Sequence, residues 1–142
     1  MNNIMDWGEC EKQFIKKVEI DPSRIKFLVK ASELRIKNLL EKKKVTNENV
    51  SFIIEGFYEA IKELLTALLL KNGMRSKNHQ CLISFFYKNY PEYEKEAYLI
   101  GRMSYLRNRL NYYGDLIEFE FYEKNKNEFE KMINLLKKLI EK

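Results

Sequence analysis

Between Val50 and Leu69 the apolar residues return at one interval: Val50, Ile53, Ile54, Phe57, Ile61, Leu64, Leu65, Leu68 and Leu69. Steps of three and four residues bring side chains back to the same side of an α-helix, whereas a strand needs every second position. No other stretch of the chain is as apolar over a comparable length. This helix is therefore expected at the centre of the fold, with the other elements packed round it. Thr46-Asn47-Glu48-Asn49 supplies capping oxygens at its start, and Gly73 stands where a left-handed residue closes a helix.

The flanking segments read the same way. Asp21-Pro22 is a helix start, because Asp accepts from orphan amides and Pro suits the first helical position. Ile25, Leu28, Val29, Ser32, Ile36, Leu39 and Leu40 then follow a helical period, and the cations Lys42-Lys43-Lys44 suit the helix end. Ser76 is expected to cap a third element carrying Cys81, Leu82, Phe85 and Phe86, with Pro91 between it and the next. Leu99, Met103, Leu106 and Leu110 form a packing seam that Gly114 stops, and Phe129, Met132, Ile133, Leu136, Leu139 and Ile140 mark a last helix. Glu118-Phe119-Glu120-Phe121 alternates like a strand but has no partner run. The connections are short, so neighbouring helices should run antiparallel. The expectation is one all-α domain over 1–142: an antiparallel, up-and-down bundle of four to five main helices over 20–142. Residues 1–19, with Trp7, Cys10, Phe14 and Val18 at helical spacing, form a short helix or an arm.

Composition adds limits. Only five Gly and two Pro leave little punctuation for a β-rich fold. The net charge of +5 is modest, and 21 acidic residues are interspersed with the cations, so a plain solvated surface is the first expectation. Leu64 to Leu70 is far too short to span a bilayer, which takes about 20 residues. Met1-Asn2-Asn3-Ile4-Met5-Asp6-Trp7 has no secretory pattern, so a cytoplasmic location with no membrane partner is expected. Cys10 and Cys81 fit a disulfide on paper, but free thiols suit a reducing compartment better. With one His and two Cys, no zinc site assembles from those residues alone, and no metal or cofactor is expected.

No Gly-rich phosphate loop, H-E-x-x-H or G-x-S-x-G motif is present. The unusual segment is Leu106-Arg107-Asn108-Arg109-Leu110-Asn111-Tyr112-Tyr113-Gly114-Asp115. An Arg adjoining an apolar seam is partly desolvated and needs a partner. That partner is either a phosphate, gripped by Arg107 with help from Asn and Tyr, or a carboxylate inside the bundle. In the plainer reading Arg107 is structural, Tyr112 and Tyr113 cap the core, and His79 is only a helix-start residue.

Leu106-Arg107-Asn108-Arg109-Leu110-Asn111 resembles the first part of the signature of HEPN proteins. These are helical bundles with an Arg near the end of a late helix, commonly followed by Asn and then by a His a few residues on. Ala60 to Gly73 followed by Met74-Arg75-Ser76-Lys77-Asn78-His79 is similar to the long helix, Gly, basic residue and His of many members. The resemblance covers roughly residues 20 to 142. Where the family's His is expected this chain has Tyr112, Tyr113 and Gly114, and no His follows His79. The Tyr-Gly-Asp ending resembles a branch that lacks the His.

The resemblance implies a homodimer with Arg107, Asn108 and Tyr112 lining a shared groove as the catalytic set. Arg109, Tyr113 and His79 would extend it as nucleotide- or RNA-binding residues. It also implies a minimal nucleotidyltransferase as partner, in a toxin–antitoxin-like pair. Family ribonucleases act without a metal, with the Arg steadying the charged transition state and the His moving protons. A Tyr, titrating near pH 10, donates a hydrogen bond but is a poor base at neutral pH, so binding is more secure than cleavage. Two other classes stay open: a non-catalytic helical dimerisation or interaction module, and a nonspecific nucleic-acid binder using the Lys clusters.

Overall fold

A computed structural model describes residues 4–42 and 44–142; Lys43 of the helix-ending Lys42-Lys43-Lys44 run and the first three residues of the Met1–Trp7 segment lie outside them. Six α-helices are described: α1 (Trp7–Gln13), α2 (Pro22–Lys42), α3 (Val50–Lys71), α4 (His79–Asn89), α5 (Glu94–Tyr113) and α6 (Phe119–Glu141). Two short strands, β1 (Ile15–Lys17) and β2 (Met74–Ser76), complete the order, with a 3-10 turn at Pro91–Tyr93 before α5. The fold is an all-α bundle, as expected.

α3 is its axis. Burial extends past the anticipated face to Tyr58, Ala60, Ala67 and Leu70, so α3 is covered on nearly every side. α2, α4, α5 and α6 all pack on it. Cross-links fix the directions. Arg35 meets Glu63 and Leu39 lies against Gly56, so α2 is antiparallel to α3. Tyr58 meets Ser104, and the Ser51 hydroxyl accepts from Ile117 N just beyond α5, so α5 is antiparallel too. Phe57 packs on Phe129 and Lys71 reaches the Leu139 carbonyl, so α6 runs parallel to α3. The four long helices are therefore an up-down-up-down bundle.

The helix ends follow local chemistry. Asp21 Oδ1 accepts from Ser23 N and Arg24 N at 3.1 and 3.2 Å, while Thr46 and Asn49 bond each other's backbone amides reciprocally. Gly73 (φ 74°) and Gly114 (φ 69°) adopt the left-handed conformation that closes α3 and α5, where a side chain would be strained. α4 departs from expectation. Its N-cap is Asn78, whose side chain accepts from Gln80 N at 2.9 Å, while Ser76 sits in β2 and accepts from Asn78 N. The alternation at Glu118–Phe121 is overridden as well: α6 begins at Phe119, since no partner strand lies alongside.

Two features tie the N-terminal segment to the bundle. β1 pairs antiparallel with β2 in the register Ile15↔Ser76, Lys16↔Arg75, Lys17↔Met74. Strands of three residues carry too short an alternation to be read from sequence. The second corrects the expectation of free thiols: Cys10 and Cys81 form a disulfide. α1 lays Trp7 edge-on against Phe85 of α4, bringing the two cysteine Cα atoms to 5.5 Å, inside the range a bridge requires. Residues 7–17 are thus a helix and a strand anchored to the bundle. Among the described residues no helix is long and apolar enough to cross a membrane.

Candidate anion site between α3, α4 and α5

Two residues along an α-helix are about 200° apart, so Arg107 and Arg109 face opposite sides of α5. Arg107 turns inward toward α3. Its Nη2 donates to Glu59 Oε1 at 3.1 Å, and Lys62 Nζ holds the other carboxylate oxygen at 2.6 Å. Both partners of the Arg107–Glu59 pair are about four-fifths buried, with side-chain exposures of 21% and 20%. The guanidinium lies 5.8 Å from the Tyr58 ring centroid, within cation–π range. Nη1 makes a long 3.4 Å contact with Asn108 Oδ1, while Nε is buried with no hydrogen-bond partner.

Beneath this cluster is a buried hydroxyl. Ser104 Oγ accepts from Tyr58 OH at 3.3 Å and from Gln80 Nε2 at 2.9 Å, linking α3, α4 and α5. Burial pushes the Tyr58 phenol up, so it stays protonated and remains a donor. His79, the first residue of α4, faces the same cluster. Burial, then the charges of Lys62 and Arg107, hold its pKa below the ordinary value, so it is neutral at pH 7. Burial pushes the Glu59 carboxyl up, but the hydrogen bond from Lys62 and the charges of Lys62, Arg107 and Arg35 outweigh this and keep it ionised. One carboxylate is therefore ringed by cations, with a neutral imidazole nearby.

The remaining sequence-predicted residues stand elsewhere. Arg109 stacks on Tyr113 with 4.8 Å to the ring centroid, and its Nε donates to Asp115 at 2.8 Å. Tyr112 and Tyr113 are 77% and 70% exposed and do not cap the core. Of the six predicted residues, Arg107, Asn108 and His79 belong to the inner cluster, Arg109 and Tyr113 pair on the outer face, and Tyr112 stands in solvent. Sequence reasoning missed Glu59, Lys62, Ser104 and Gln80. The available signal was Glu59 and Lys62 at i, i+3 on a helix, a spacing also common on solvated faces.

Among the described residues no group of His, Cys, Asp and Glu could hold a metal ion. Fold and site together define an all-α bundle with a largely buried cluster of Arg, Lys and Glu. No family model, curated protein or solved structure matches the chain.

Proposed function

We propose that the protein binds a phosphate-bearing ligand, a nucleotide or RNA, at Arg107, as a HEPN-type partner of a minimal nucleotidyltransferase in a toxin–antitoxin-like pair. The observation that carries this reading is the incomplete use of Arg107. Its guanidinium is mostly withdrawn from water, its Nε is unpartnered, and its one strong partner is a carboxylate, the protein group nearest in charge and geometry to a phosphate oxygen pair. Lys62 adds a second cation. A phosphate exchanging with Glu59 would inherit both. In a homodimer built on the C-terminal end of α5 and the connection after it, exposed Tyr112, Tyr113 and Leu116 supply apolar surface for the second copy, with Arg107, Asn108 and Tyr112 along the groove. Neutral His79 is the base candidate for RNA cleavage; Tyr112 would only donate. The expected cytoplasmic location belongs to the same proposal and is in tension with the Cys10–Cys81 bridge, since reducing compartments keep most thiols free.

The Arg107–Glu59 pair also favours a second reading, in which Arg107 only ties α5 to α3 and the protein is a non-catalytic interaction module. Titration of the purified chain with a nucleoside monophosphate and a short RNA separates the two. Binding that falls at least about tenfold in Arg107→Ala, with the helical signal intact, supports phosphate recognition. No binding by the parent protein, or equal binding by the variant, leaves the interaction module.

A further inference from the structure

We propose that the outer face of the β1–β2 ribbon is a binding site for single-stranded nucleic acid, with a phosphate held between Lys16 and Arg75 and a base laid on Phe14. The chain has 21 acidic residues, yet residues 12–18 and 71–91 contain none, while they carry Lys12, Lys16, Lys17, Lys71, Arg75, Lys77 and Lys88. Pairing of β1 with β2 brings these two acid-free stretches together and sets Lys16 directly opposite Arg75. Side chains alternate across a strand, so these two share one face. Ile15 and Met74, on the other face, pack against the core, and Lys16 and Arg75 therefore point outward, where both are exposed. Like charges directly opposite one another weaken a strand pair. A local rule broken in this way is expected where a ligand supplies the missing counter-charge.

The protein itself does not supply it. Among the described residues no carboxylate lies within 4.0 Å of Lys16, Arg75 or Lys77. All three cations border one hollow of about 290 Å³, together with Phe14 and the amide of Gln13. The acids around α1, Asp6, Glu9 and Glu11, border a different hollow that shares only Gln13 with this one. Phe14 is 38% exposed, an aromatic ring left at the rim of a cationic hollow. Cations that track a backbone beside a ring that takes a base are the two parts of a single-strand site. An acidic peptide would use the cations and leave the ring idle, so nucleic acid is the better fit. This reading goes beyond the one at Arg107 and shares no residue with it.

The test uses the full chain and a fluorescein-labelled single-stranded RNA of about eight nucleotides. Fluorescence anisotropy should show binding that weakens with salt, the slope of log K against log salt losing about 0.7 for each phosphate contact removed. Lys16→Glu sets a carboxylate opposite Arg75, so its melting temperature should rise while binding falls at least about tenfold. Loss of the fold then cannot account for the loss of binding. Phe14→Leu keeps the apolar bulk and removes the ring; it should weaken RNA binding about tenfold and leave binding of an inorganic polyphosphate unchanged. Both changes should act equally in an Arg107→Ala chain, which separates this face from the inner cluster. Unchanged RNA affinity in Lys16→Glu or in Phe14→Leu overturns the proposal. So does RNA binding that Arg107→Ala alone abolishes, or an oligoglutamate that binds as tightly as the RNA, which would make an acidic peptide the ligand.

Discussion

Arg107 and Glu59 lie 48 residues apart in sequence and meet at 3.1 Å between α5 and α3, each with about a fifth of its side chain exposed. The pair is neither a surface salt bridge of negligible worth nor a fully desolvated one. Its neighbours Lys62 and Arg35 leave the local charge positive even with Glu59 ionised. The consequences of disturbing it are specific.

Replacing Glu59 by Gln keeps the shape and removes the charge. Arg107 and Lys62 then repel without a counter-ion, and stability should fall by about 1–2 kcal/mol, between the values for exposed and buried pairs. Urea denaturation measures the loss. If phosphate takes the vacated place, added sulfate or phosphate should restore more stability to Glu59→Gln than to the parent chain, and nucleotide affinity should rise. An unchanged response to anions would remove Arg107 as a phosphate ligand.

The two depressed pKa values give stability a pH dependence of known sign. His79 is neutral in the fold and protonates more readily when unfolded, so its contribution is intact above about pH 6.5 and is lost as pH falls through the lower folded value. Glu59 behaves likewise at more acid pH: its contribution is present above the ordinary carboxylate range and lost as pH falls through its folded value. Melting temperatures of the parent should therefore decline from pH 7 to pH 5, and His79→Gln should flatten that decline. A parent whose stability is constant over this window would contradict the partial burial of His79 within the positive field of Lys62 and Arg107.

The Cys10–Cys81 bridge closes a loop with a sequence separation of 71, and removing it should cost about 2–4 kcal/mol. Dithiothreitol, or Cys10→Ser with Cys81→Ser, should lower the urea midpoint. Because the bridge joins α1 to α4, proteolysis of the reduced protein should first release the segment before Pro22. Equal midpoints with and without reductant would show that the thiols are not joined in solution.

Leu39 of α2 packs directly on Gly56 of α3. A Cβ added there would lie 2.9 Å from both Leu39 methyls, closer than such contacts occur. The strain should outweigh the roughly 1 kcal/mol that Ala gains over Gly inside a helix, leaving Gly56→Ala mildly destabilised. In a Leu39→Ala background the same change should become neutral or stabilising. Additive thermal shifts in the double variant would mean that the helices do not touch at this point.

Much of the architecture was legible because its causes are local. The spacing from Val50 to Leu69, the Asp21-Pro22 start and the Gly73 and Gly114 caps act within a few residues, and each does in the structure what its chemistry requires. The misses were of a different kind. Ser76 and Asn78 are both competent caps, and pairing of β2 with β1 decided between them. The candidate site was half legible: an Arg beside an apolar seam announced the need for a partner but not which one.

Helix positions, the central place of α3 and the unusual character of the Arg107 segment came from the sequence alone, since backbone periodicity and capping are short-range. Tertiary structure alone decided that Arg107 meets Glu59 while Arg109 turns to Asp115, that Cys10 reaches Cys81, and that Lys137 of α6 meets Glu33 of α2. Each of these depends on the rotation and register of one helix against another. Those are set by the summed packing of the whole core on α3, and no window of neighbouring residues contains them.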